Sequence, residues 1–99
     1  MPVSKRYISK NAVCKASFYL PKEVGAKKAY LVGDFNDWNE KATPMTQLKS
    51  GQWKAEIKLD AGQEYQYRFL VNGSDWHNDW EADKYAPNPH GEENSVVVT

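Results

Sequence analysis

Gln52-Trp53-Lys54-Ala55-Glu56-Ile57-Lys58-Leu59-Asp60-Ala61-Gly62-Gln63-Glu64-Tyr65-Gln66-Tyr67-Arg68-Phe69-Leu70-Val71-Asn72-Gly73 decides the fold. Its first half alternates with period two. Trp53, Ala55, Ile57 and Leu59 share one side, and Lys54, Glu56 and Lys58 take the other. Such alternation describes a strand with one face in a core and one in water. Asp60-Ala61-Gly62 supplies a turn, after which Tyr65, Tyr67, Phe69 and Val71 form a second inward face, with Gln66, Arg68 and Leu70 opposite. Asn72-Gly73 then gives a strong hairpin signal, because both residues tolerate positive φ.

The same period extends outward. Val13 to Leu20 places Cys14, Ala16, Phe18 and Leu20 on one side before Pro21 ends the run. Lys28 to Val32 is a shorter run closing at Gly33-Asp34, and Ser95 to Thr99 is a β-branched stretch suited to a last strand. No window carries a helical period. Short strands at roughly ten-residue spacing predict an all-β, immunoglobulin-like sandwich. Two segments, 35–43 and 74–93, read as polar loops, and both contain tryptophan.

The chain has 99 residues, enough for one domain and one modest core. Thirteen basic and thirteen acidic residues cancel, which argues against nucleic acid as a partner. Basic residues gather near the start (Lys5, Arg6, Lys10, Lys15), and acids crowd the last quarter. Residues 1–11 read as a flexible basic arm, with the domain over 12–99. The single cysteine, Cys14, reads as a small core residue, and no apolar run suggests a signal peptide or a membrane span. The expectation is a cytoplasmic protein that engages no membrane.

Four tryptophans, six tyrosines and three phenylalanines are more aromatic surface than so small a core absorbs. Trp53 sits at a core position. Trp38, in Gly33-Asp34-Phe35-Asn36-Asp37-Trp38-Asn39, and Trp76, in Ser74-Asp75-Trp76-His77-Asn78, lie among polar turn formers. A pyranose presents an apolar C–H face rimmed by hydroxyls. A rigid indole takes that face while a neighbouring polar side chain bonds the rim. Stacking of this kind contributes about 1 kcal/mol per ring beyond buried area, by analogy with aromatic pairs. Two such plates are needed for useful affinity.

The segment Leu31-Val32-Gly33-Asp34-Phe35-Asn36-Asp37-Trp38, then Gly62 to Gly73, then Asn94-Ser95-Val96-Val97-Val98, resembles the glycogen-binding (isoamylase N-terminal-like) carbohydrate-binding module. That family includes the module of the AMP-activated protein kinase β-subunit and the early-set domains of branching and debranching enzymes. The resemblance implies an early-set β-sandwich that binds an α-glucan such as glycogen, starch or malto-oligosaccharide. Trp38 and Trp76 match its stacking tryptophans, Arg68 stands where a lysine bonds sugar hydroxyls, and Asn94 matches an asparagine doing the same. His90 replaces a leucine of the kinase-subunit members, and Trp80 has no counterpart there. Both are expected at the periphery, where Trp80 either extends the platform or braces the long loop.

Catalysis, metal and cofactor binding are not expected. Asp34, Asp37, Asp79, Glu81 and Asp83 read as carboxylates in open polar loops, whereas a glycosidase needs one of its pair desolvated. His77 and His90 lack companions at ligand spacing. The competing reading is a protein-interaction module that docks on a glycogen-metabolising enzyme, with Trp38 and Trp76 as interface anchors. Arg68, Asn94 and the Asn/Asp-rich loops supply the polar company that a sugar site requires.

Overall fold

A computed structural model describes residues 3–10, 12–89 and 91–99. Among them nine strands form two antiparallel sheets: β1 (Ser4–Ile8), β2 (Val13–Leu20), β3 (Ala29–Gly33), β4 (Thr46–Gln47), β5 (Trp53–Asp60), β6 (Glu64–Val71), β7 (Asp75–His77), β8 (Lys84–Pro87) and β9 (Glu93–Val98). One sheet runs β1-β2-β5-β4 and the other β3-β6-β9-β8, with β7 paired to β6. The all-β sandwich expected from the alternation is what the chain forms.

The core lies between the sheets. Cys14, Ala16, Phe18 and Leu20 of β2 meet Tyr67, Phe69 and Val71 of β6, and all are buried. Phe18 stacks edge-on against Tyr67 at 4.8 Å between centroids, and Tyr67 meets Phe69 at 5.9 Å. Phe35, from the segment read as a loop, packs against this cluster beside Phe18 and Tyr65. Trp53 is buried, as its position in the alternation implies.

Strand β6 organises the β3-β6-β9-β8 sheet. One edge carries β3, with Tyr67 to Val71 opposite Gly33 to Ala29. The other edge is divided: β9 pairs its first half (Glu64–Tyr67) and β7 its second (Phe69–Val71). The β6–β7 hairpin turns at Asn72 (φ 54°) and Gly73 (φ 82°), the left-handed pair that the Asn-Gly signal calls for.

Two expectations are corrected. Residues 1–11 do not form an arm throughout, because Ser4–Ile8 is a strand along β2 and Val3 joins the core. Ties across the sandwich hold it there. Lys5 Nζ reaches Asp83 at 2.6 Å, and the Tyr7 hydroxyl donates to the Thr99 carbonyl at 2.6 Å. An inward-turned lysine on an edge strand also blunts pairing with a further strand, and that charge is why the segment does not read as strand.

Segment 74–93 likewise contains β7 and β8. Strand β7 is three residues long and β8 ends on Pro87, so neither builds a visible alternation. Nor is Asp79 in an open loop. It is 5% exposed, accepting a hydrogen bond from the Tyr67 hydroxyl at 2.8 Å and one from the Glu81 amide at 2.9 Å. Burial pushes its carboxyl above the ordinary carboxylate value and pushes the Tyr67 phenol up as well.

Candidate functional site

On β6 the residues facing away from the core are Gln66, Arg68 and Leu70. Cross-strand pairing sets Val96 beside Gln66, Val32 beside Arg68 and Trp76 beside Leu70. Val32, Leu70 and Val96 are buried although they stand outside the core between the sheets. They give the outer face of this sheet an apolar base on which larger side chains rest.

Above that base lies a cleft of about 590 Å³ lined by Asp34, Trp38, Gln66, Arg68, Trp76, Asn88, Pro89, Glu92 and Asn94. The four side chains singled out in the sequence, Trp38, Trp76, Arg68 and Asn94, all line it. They come from four separate segments of the chain. Trp80 does not line the cleft. It is 69% exposed and borders a separate small depression with Tyr19, Pro21 and Phe69. His90 lies outside the described residues.

Trp38 is placed by a compact turn. Gly33 ends β3 in extended conformation, and Asp34–Asn36 form one turn of 3-10 helix. Asn36 pins that turn, its Oδ1 accepting from the Gly33 amide and its Nδ2 donating to the Leu31 carbonyl and the Thr43 hydroxyl. Asp37 and Trp38 then both adopt left-handed backbone at φ 56°. For a bulky residue this conformation costs about 1–3 kcal/mol and persists only where its surroundings enforce it. The Asp34 carboxylate helps to enforce it, taking the Trp38 indole N–H at 2.9 Å and the Gln66 backbone N–H at 2.8 Å.

Gly33 is required for a different reason. A Cβ there would lie 2.5 Å from the Gln66 carbonyl oxygen and 2.8 Å from Tyr67 Cβ. Only a residue without a side chain lets the Trp38 turn close onto β6.

The polar groups of the cleft are linked. The Asn94 amide donates to Gln66 Oε1 at 3.0 Å, and its oxygen accepts from the Asn88 amide at 3.2 Å. Asn94 is buried, so part of its bonding capacity is committed internally. Arg68 Nη1 meets Glu92 Oε2 at 2.9 Å, while Arg68 Nε is buried with no hydrogen-bond partner. Leaving a buried donor unpaired costs about 1–3 kcal/mol. The cleft presents two indoles, a guanidinium paired with a carboxylate and a row of amides.

Asp34, Gln66, Asn88, Pro89 and Glu92 were not among the residues singled out in the sequence. Gln66 was within reach, since it stands two positions from Arg68 on the same face. Glu92 carried no such signal, because only the folding back of the β8–β9 hairpin brings it to Arg68.

Fold and site together define a small β-sandwich with an aromatic-walled, amide-rich cleft on the outer face of one sheet, the architecture of a carbohydrate-binding module. The chain belongs to the carbohydrate-binding module 48 (isoamylase N-terminal domain) family, whose model matches residues 15–86. Trp38, Arg68 and Trp76 fall within the match; Glu92 and Asn94 lie beyond it. The chain is also 49% identical over 51 residues to a 1,4-alpha-glucan branching enzyme, GlgB, of Lactobacillus acidophilus. The alignment takes in 50% of this chain and only 8% of that protein. No described helix is long and apolar enough to cross a membrane.

Proposed function

We propose that this chain binds an α-glucan without catalysis. Trp38 and Trp76 stack on sugar faces, and Arg68 and Asn94 bond the hydroxyls between them. The observation that carries this reading is the convergence of those four side chains, from separate segments, on one cleft. An aromatic plate without polar neighbours would suit a protein partner as well, but here both plates stand beside a guanidinium and three amides. The family and the name of the branching-enzyme relative support a glucan as the ligand class.

The carboxylates support a non-catalytic role. Asp34 is engaged by two N–H groups and Glu92 by Arg68. The carboxyl raised by burial, Asp79, lies outside the cleft. Catalysis of glycoside cleavage needs two carboxyl groups free to act across the substrate, whereas both carboxylates of the cleft are engaged by N–H groups.

Titration with maltoheptaose or β-cyclodextrin, followed by tryptophan fluorescence and calorimetry, tests this reading. Saturable binding in the micromolar to low-millimolar range, absent for cellobiose, is expected. No response up to tens of millimolar would overturn it and redirect attention to a protein docked on the same surface.

A further inference from the structure

Three regions hold chemistry outside the residues already assigned a role. The depression beside Trp80 mixes Tyr19, Pro21 and Val24 with Asn78, Asp79 and Glu81, and nothing in the structure shows what covers it. The outer face of the β1-β2-β5-β4 sheet aligns Arg6, Lys15 and Lys58 across three strands, but Lys15 is already answered by Glu56 at 3.3 Å. The third, Glu92, lines the cleft and pairs with Arg68.

We propose that Glu92 is a specificity-determining residue, and that its pairing with Arg68 makes the cleft select uncharged sugar chains and turn away phosphorylated ones. The inference rests on the glucan-binding reading above and adds to it a rule about charge. Arg68 is the only cationic side chain lining the cleft among the described residues, whereas Asp34 and Glu92 are both acidic. Phosphate would be drawn to an arginine that stood alone, since the guanidinium fork matches its oxygens. Here that charge is already met, at 2.9 Å, by a carboxylate.

The pairing is held in place rather than fortuitous. Glu92 sits at the tip of the β8–β9 hairpin. Its amide donates to Asn88 Oδ1 at 3.2 Å, and its carbonyl accepts from the Asn88 amide at 2.8 Å. The backbone is thus fixed on both sides of the residue that reaches Arg68. The side chain itself remains 59% exposed, so it is available to an incoming ligand.

A hydroxyl both donates and accepts, and a guanidinium beside a carboxylate answers both needs at once. A phosphate only accepts at its charged oxygens, and it would sit against two carboxylates with no uncommitted cation. At these separations near a protein surface, one such unscreened repulsion corresponds to roughly a tenfold loss of affinity.

The test compares maltohexaose with maltohexaose carrying a single 6-phosphate, titrated calorimetrically into the wild-type chain and into Glu92→Gln. The glutamine keeps the shape and an acceptor for Arg68 while removing the charge. The wild type is expected to bind the neutral chain about tenfold more tightly than the phosphorylated one. In Glu92→Gln that preference should vanish or reverse, whatever the change in neutral affinity. Raising the ionic strength should narrow the wild-type gap without any substitution. Equal wild-type affinity for the two ligands, or an unchanged preference in Glu92→Gln, overturns the inference while leaving glucan binding intact. Failure of both proteins to bind the neutral chain overturns the glucan reading and this inference together.

Discussion

The Asp34 carboxylate and the Trp38 indole are joined by a 2.9 Å hydrogen bond across one turn of chain, and the second oxygen of the same carboxylate accepts the Gln66 backbone N–H at 2.8 Å. One side chain thereby ties a loop tryptophan to strand β6, and with the Asn36 bonds it holds Trp38 in left-handed backbone. Asp34→Ala is expected to weaken maltoheptaose binding by about tenfold while lowering stability by only about 1–2 kcal/mol, the ordinary cost of exposed charge-assisted bonds. Calorimetry paired with urea denaturation separates the two effects. Unchanged affinity would show that Trp38 is positioned without it.

The tryptophans should divide by burial. Trp76 is 39% exposed and Trp38 partly so, whereas Trp53 is buried. Trp38→Ala and Trp76→Ala are each expected to abolish measurable glucan binding with the melting temperature close to wild type. Trp53→Ala should instead cost about 3–5 kcal/mol of stability. If the Trp38 or Trp76 variant unfolded, the assignment of that residue as a stacking plate would fail.

Gly33→Ala probes the close approach beneath the site. Its Cβ meets a backbone oxygen at 2.5 Å, which no rotamer change relieves. The expected loss is about 1–3 kcal/mol, the usual range for overpacking. Because the strain falls between β3 and β6, binding should weaken along with stability. Thermal denaturation near wild type would mean that the strands separate at little cost.

The pH dependence of stability should carry the mark of Asp79. Burial, set against the Tyr67 and Glu81 hydrogen bonds, holds its folded-state pKa above the ordinary 3.8. Below that value the group is protonated in both states and costs nothing. As pH rises through the unfolded value toward the folded one, the unfolded chain loses its proton first, and stability falls. Glu56, lowered chiefly by its hydrogen bond to Lys15, pulls the other way. The informative quantity is therefore the difference between wild type and Asp79→Asn, followed by urea denaturation from pH 3 to 7. Wild-type stability should decline relative to the variant across the interval just above pH 3.8. A difference that stays flat, or rises, contradicts the assigned direction.

Much of this was legible in the sequence, for a local reason. Alternation over Val13–Leu20, Trp53–Asp60 and Glu64–Val71 separates a core face from an outer one, although Ser17 and Leu70 on the outer faces are also buried. The Asn72-Gly73 turn was readable because its backbone demands those residue types. β7 and β8 were not, since they are short and draw their stability from the neighbours they pair with. The N-terminal strand was hidden in the same way, its lysine and tyrosine satisfied only by Asp83 and Thr99 at the far end of the chain.

What the sequence determined by itself is the all-β class, the core faces and the candidate residues Trp38, Arg68, Trp76 and Asn94. What only the tertiary structure decided is that these four line one cleft, that Trp80 stands apart, and that Asp34 and Glu92 belong with them. The reason is physical. A strand's period is set by bonds along the chain, whereas the division of one edge of β6 between β7 and β9 depends on pairings whose partners are up to 34 residues apart, from Glu64 to Val98. No local pattern encodes which distant segment will fill that edge.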